Sequence, residues 1–229
     1  MRIEFGMTIP TDLDGEADQY IVHYWGQILD SADSEDAGAE SADVIVGRVD
    51  LSRVHMGLVA EHGESVVEVF DAHSDDIVEF CEALFDVDTE ELKDGISEQT
   101  SGSDLLLVES IEILPQYRGK ALGLKVLRRL MEFLGGGCAV VAIKARPVRY
   151  TDPADVDWSR RMQPAMLEAS PDEAPQRLRE YFSRLGFERV EGTDIMAFDL
   201  AYEIPALPLD DDEEDEEDDD DDDDDDDQA

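Results

Sequence analysis

From Glu109 to Gly123 the chain reads Glu-Ser-Ile-Glu-Ile-Leu-Pro-Gln-Tyr-Arg-Gly-Lys-Ala-Leu-Gly, and most of its recognisable chemistry is concentrated there. Small residues at Gly119, Ala121 and Gly123 let a backbone pass close to a phosphate. The first N–H groups of a helix beginning at that point would be aimed at the same anion. Arg118 and Lys120 add two cations. The run lacks the Gly-Lys-Ser/Thr ending of a P-loop and does not read Gly-x-Gly-x-x-Gly, so neither of those nucleotide cradles is indicated. Just upstream, Glu109 and Glu112 are carboxylates able to take a proton. On a regular strand they fall on opposite faces, Glu109 with Ile111 and Ile113, Glu112 with Ser110 and Leu114. At most one of them is then expected to look into a common cleft.

The elements that must position these residues follow from periodicity. Asp104–Leu114 is apolar-rich and ends at Pro115, which predicts a strand running into the glycine turn. Leu122, Val126, Leu127, Leu130, Met131 and Leu134 then recur at helical spacing, and Gly135-Gly136-Gly137 stops that helix. Cys138–Lys144 reads as a fully buried strand. Strand, turn, helix and strand within about forty residues make a βαβ unit. Upstream, strands are expected over residues 18–29 and 42–49, and Val54–Ala60 suits either a strand or a short helix. An amphipathic helix is expected within Asp71–Phe85, started by Ser74 with Asp75 and Asp76 in its first turn. Downstream, a helix over Ala174–Leu185 stops at Gly186, and two closing strands follow, Phe187–Val190 and Asp194–Tyr202.

Two stretches carry a family resemblance. Gln116-x-x-Gly119-x-Ala121 resembles the Gln/Arg-x-x-Gly-x-Gly/Ala motif of the GNAT acetyltransferases, and its flanks Ile111–Pro115 and Gly123–Leu127 look like that family too. Leu178–Phe187 resembles the late helix of the family that ends in Gly-Phe. Together they cover roughly residues 104–202. The resemblance implies an α/β (α+β) fold of GNAT type: a mixed, mostly antiparallel central sheet with a splayed pair of parallel strands, flanked by helices. It implies acetyl-CoA as co-substrate, its pantetheine arm paired with main-chain groups around Ile113. Gln116, Arg118, Gly119, Lys120, Ala121 and Gly123 would form the pyrophosphate turn. Glu109 or Glu112 would be the base in a direct attack by an amine on the thioester. The acid is where this chain departs from the family. The position often held by a tyrosine, four residues before Gly186, is Phe182, which has no proton to give; Tyr181 is its neighbour, about 100° round the helix. An N-acetyltransferase is the first expectation, and a catalytically silent GNAT-like module binding acyl-CoA or a protein partner is the alternative.

Composition narrows the partners. The 229 residues carry 18 Lys and Arg against 60 Asp and Glu, a formal charge of -42. Such a chain repels nucleic acid and anionic lipid, so neither is expected as a partner, and a small-molecule amine or a basic protein is the expected acceptor. An acidic mimic of nucleic acid is a further reading that rests on charge alone. Residues 1–205 are expected to form one domain, with a mobile acidic loop at about 30–43 and a polar excursion over 151–173. Residues 206–229, unbroken acid from Asp210 to Asp227, are expected to be a disordered tail that contacts basic proteins or serves solubility. Cys81 and Cys138 read as small buried hydrophobes. His23, His55, His62 and His73 show no metal-ligand spacing, so no metal is expected, and Trp25 and Trp158 read as packing residues. No leader-like h-region or long apolar run is present, and a soluble cytoplasmic protein is expected.

Overall fold

The computed structural model describes residues 1–9, 17–31, 43–97, 102–147, 156–162 and 173–207. Most of the expected acidic loop, the expected excursion apart from 156–162 and 173, and the acidic tail from residue 208 lie outside the described residues.

Seven strands form one sheet: β1 (Arg2–Thr8), β2 (Ile21–Ser31), β3 (Asp43–Val54), β4 (Asp104–Ile113), β5 (Cys138–Lys144), β6 (Glu188–Arg189) and β7 (Ile195–Asp199). Their order is β1-β2-β3-β4-β5-β7-β6, and every neighbouring pair is antiparallel except β4 with β5. The helices are α1 (Met56–His62), α2 (Val66–Asp71), α3 (Asp75–Leu84), α4 (Leu122–Leu134), α5 (Val156–Met162) and α6 (Glu173–Ser183). The mixed sheet with one parallel pair is the architecture that the GNAT resemblance implied. Ser74 caps α3 as expected, its hydroxyl accepting the Ile77 N–H. The open choice at Val54–Ala60 resolves into both answers, a strand end at Val54 and then α1. The β1 strand was not anticipated, although Ile3, Phe5 and Met7 alternate with Arg2, Glu4 and Gly6; it is an edge strand with little buried side chain.

β4 and β5 are apolar on both faces because both faces are covered. Leu105, Leu107, Val140 and Ala142 pack against Val59, Val69, Phe70, Ile77 and Phe80 of α1, α2 and α3. Leu106, Val108, Val141 and Ile143 pack on the other side against Leu124, Leu127, Leu130 and Met131 of α4, with Phe182 of α6. A small third cluster joins Leu114 to Trp158 and Met162 of α5. Cys81 and Cys138 are both buried, and burial pushes each thiol up to about 11.

Candidate functional site

Three local devices open a cleft at the C-terminal end of β4. The first is a fork. β4 pairs with β5 from Asp104 against Cys138 to Val108 against Ile143, and the pairing stops there. β4 itself continues to Ile113, held only by β3. Leu114 N–H donates to Val46 C=O of β3 at 2.9 Å, so by strand alternation the N–H and C=O groups of Ile111 and Ile113 point the other way, into the fork.

The second device is a β-bulge. On β3, Asp50 pairs with Ser110 but its neighbour Leu51 pairs with Val108, leaving Glu109 as the extra residue. This corrects the expectation that Glu109 and Glu112 face opposite ways. Ahead of the bulge, Leu105 and Leu107 face α1–α3 and Leu106 and Val108 face α4; beyond it, Ile113 is on the α4 side. Glu109 keeps the face of Leu107, and the extra residue turns Ser110 and Glu112 onto that face as well. The partners agree: Ser52 Oγ donates to Glu109 Oε1 (2.7 Å), Ser110 Oγ to Asp50 Oδ2 (3.1 Å) and Trp158 Nε1 to Glu112 Oε2 (2.6 Å). Ser52, Asp50 and Arg48 alternate along β3, and Arg48 pairs in register with Glu112.

The third device is the turn into α4. Pro115–Tyr117 form a 3-10 turn, Gly119 takes φ 86° and Ala121, at the N-cap, takes φ 51°. An alanine cap offers no side-chain acceptor, so the N–H groups of Leu122 and Gly123 have no cap from it. The Tyr181 hydroxyl takes the Leu124 N–H at 3.0 Å and also bonds the Gly123 N–H. Burial raises the Tyr181 pKa above 10, and an oxygen that accepts this N–H keeps its own proton to give. Tyr181 and Phe182 both line the cleft, so the one-residue offset does not carry the phenol out of it.

The cleft has a volume of about 730 Å³. Glu109, Glu112, Ile113, Arg118, Gly119, Ala121 and Gly123 line it, with Tyr181; Gln116 and Lys120 are exposed and are not part of its lining. Its charge is the reverse of the chain's. Arg118, Lys144, Arg146, Arg177 and Arg184 line it against Glu109 and Glu112, on a protein with 18 basic and 60 acidic residues. Lys144 and Arg146 are bound to Asp76 and Glu79 of α3. Arg118 is different: its Nε donates to the Ile113 carbonyl at 2.8 Å rather than to a carboxylate, and burial pulls its pKa down. A half-buried cation beside a helix N-terminus whose N-cap side chain takes no N–H is a place for an anion.

The two carboxylates differ in what holds them. Glu112 is 2% exposed and bonded to Trp158, whose ring also lies under Arg48 at 4.2 Å, so Glu112 fixes α5 to β4. Glu109 has Ser52 on one side and His23 Nδ1 at 3.7 Å. Burial pushes the Glu109 carboxyl up, but the nearby His23 and the bond from Ser52 outweigh it and hold it below the usual range. Sequence reasoning missed His23. It is three residues into an ordinary-looking strand, and only the β2–β3–β4 register brings it to Glu109. Trp25 also departs from expectation: it is 45% exposed, laid over Gly6 and stacked on the His23 ring at 6.2 Å. Among the described residues no group of three or more His, Cys, Asp or Glu could hold a metal ion, and no helix is long and apolar enough to cross a membrane.

No family model and no curated protein matches this sequence. A matching solved structure is that of Arabidopsis thaliana NAA60 in complex with acetyl-CoA, 11% identical, covering 88% of this chain and 100% of that one at a TM-score of 0.35. A likeness at that score decides nothing about this chain.

Proposed function

We propose that this protein is an acetyl-CoA-dependent N-acyltransferase that moves an acetyl group to a primary amine by direct attack in a ternary complex. The observation that carries the reading is the continuity of an open strand edge with a helix N-terminus whose Ala121 cap takes no N–H, inside one basic cleft. A ligand with amides in an extended arm and a pyrophosphate at one end matches that sequence of partners. The arm would pair with Ile111 and Ile113 as a strand does. The pyrophosphate would take the N–H groups at Gly119–Gly123, with Arg118 released from the Ile113 carbonyl to meet it. The thioester then falls at the fork beside Val108 and Ile143, next to Glu109. The amine approaches over the face that carries Asp50, Glu109 and Ser110, loses its proton to Glu109, and attacks the thioester carbon. Tyr181 returns a proton to the leaving thiolate. The acceptor is a small amine or a basic protein, whose charge suits a chain this acidic. The silent binding module would share the first half of this scheme and lack the second; the Tyr181 hydroxyl in the cleft favours turnover.

Calorimetric titration with acetyl-CoA of the intact chain, Gly119→Ala and Gly119→Glu tests the binding step. A Cβ at Gly119 meets nothing within 4 Å, so alanine costs only backbone strain, of roughly 1–2 kcal/mol. Glutamate adds an anion where the pyrophosphate sits and is expected to abolish binding. Equal affinity in the alanine and glutamate variants would overturn the phosphate assignment. Thiol release with a panel of primary amines then separates an enzyme from a silent module.

A further inference from the structure

We propose that Glu109, Ser52 and His23 form a proton wire that carries the proton of the attacking amine from the cleft to solvent. The proposal rests on the acetyl-transfer reading above and adds the route and final holder of the proton. Glu109 lines the cleft and its side chain is 18% exposed, whereas the His23 side chain is 35% exposed, so the first meets the substrate and the second meets water. At 3.7 Å the direct gap from Glu109 Oε1 to His23 Nδ1 is too long for a single hydrogen bond. Ser52 closes it. Its Oγ lies 2.7 Å from Glu109 Oε1 and 3.4 Å from His23 Nδ1, and the residue is fully buried near the C-terminal end of β3. A buried hydroxyl between a carboxylate and an imidazole can take a proton from one as it gives its own to the other.

The transfers balance. The ammonium N–H proton passes to Glu109; Ser52 Oγ takes it and yields its own to His23 Nδ1, the acceptor nitrogen in the Nε2–H tautomer. The imidazolium then loses one proton to bulk water. The titratable groups around His23 are Asp50 on β3, Glu109 on β4 and His73 ahead of α3, whose ring lies 6.4 Å from that of His23; Trp25 stacks on its own strand. The nearby Glu109 carboxylate, against the cost of burial, raises the His23 pKa above 6.5, which suits a group that must hold a proton briefly near neutral pH.

The test combines three measurements on the whole chain and on His23→Gln, Ser52→Ala and His73→Gln. These are acetyl-CoA affinity by calorimetry, the His23 imidazole titration by NMR, and kcat against pH by thiol release with the fastest of a panel of primary amines. In the wild type, kcat is expected to rise with unit slope through the pKa that NMR assigns to His23. His23→Gln and Ser52→Ala are expected to lower kcat by about ten- to a hundredfold. His23→Gln also removes the limb, and both keep acetyl-CoA affinity, which shows that they fold. His73→Gln changes neither. A pH-independent loss in His23→Gln, or the same limb surviving in it, would overturn the wire and leave acetyl transfer standing. Failure of the wild type to bind acetyl-CoA would instead overturn the acetyl-transfer reading and the wire with it. Binding without thiol release from any amine would overturn the wire and turnover together while the cofactor site stood.

Discussion

Tyr181→Phe separates two things that one hydroxyl does. The oxygen accepts the Leu124 N–H at 3.0 Å, at the third position of a helix whose N-cap is an alanine. Deleting it leaves that N–H without its partner, at a cost of about 1 kcal/mol. For a domain of this size that is a fall in Tm of ~2–4 °C. The same deletion removes the proposed donor to the thiolate, an effect of about a hundredfold on kcat. Because burial holds the phenol above 10, the donor is protonated throughout pH 6–9, so the loss in kcat should be uniform over that range. Thermal unfolding and thiol-release kinetics at saturating acetyl-CoA measure the two parts separately. Phe182→Tyr is the companion variant. Its ring is buried between those of Tyr181 and Phe187, at 5.5 and 6.5 Å, so a hydroxyl added there is expected to cost stability and bring no rate. A Tyr181→Phe enzyme within about threefold of wild-type kcat would refute the donor role. A Phe182→Tyr enzyme that ran faster would move the role next door.

The His23–Glu109 pair also leaves a mark on stability. A raised His23 pKa stabilises the fold below 6.5 and that contribution is lost as pH rises through the folded value. A lowered Glu109 pKa stabilises it above 4.5 and is lost as pH falls through the folded value. The pair should therefore contribute most between 4.5 and 6.5. Glu109→Gln should flatten the decline in denaturant midpoint from pH 6 to 8; an unchanged slope would remove the pair from the account. Gly47→Ala would place a methyl 2.4 Å from the main-chain oxygen of Glu112, where backbone cannot yield cheaply. It is expected to destabilise by about 1–3 kcal/mol, while Gly136→Ala, which meets nothing within 4 Å, changes little in chemical denaturation. Cys81 and Cys138, buried and held at about 11, should resist a thiol reagent at pH 8 in the native protein and both react in denaturant.

The parts of this molecule that were legible in its sequence are those set by local pattern. The apolar stripe of Leu122–Leu134, the buried run Cys138–Lys144 and the cap at Ser74 each depend on residues within a few positions of one another, and each appears where the pattern places it. The glycine turn is legible for the same reason, since only a residue without a Cβ adopts φ 86° at no cost. What escaped depends on register between distant strands. The bulge at Glu109 is invisible in β4 alone, because nothing in Val-Glu-Ser-Ile says that two residues will face one on β3. With the bulge unseen, the alternation rule put Glu109 and Glu112 on opposite faces. His23 and Ser52 escaped likewise: they meet Glu109 from 86 and 57 positions away in the chain. Trp158 looked like ordinary packing. Its indole nitrogen is in fact the donor that ties α5 to Glu112.

The fork has a consequence for how occupancy of this cleft could be followed. Along the last turns of β4, the amides of Glu112 and Leu114 belong to the ladder with β3, and those of Ile111 and Ile113 open toward the cleft. Amide hydrogen exchange should therefore alternate residue by residue, slow at Glu112 and Leu114 and fast at Ile111 and Ile113. A strand-like ligand arm would slow the second pair and leave the first untouched. Two neighbouring isoleucines thus act as built-in reporters whose protection reads cofactor occupancy directly, with their own strand neighbours as the internal reference.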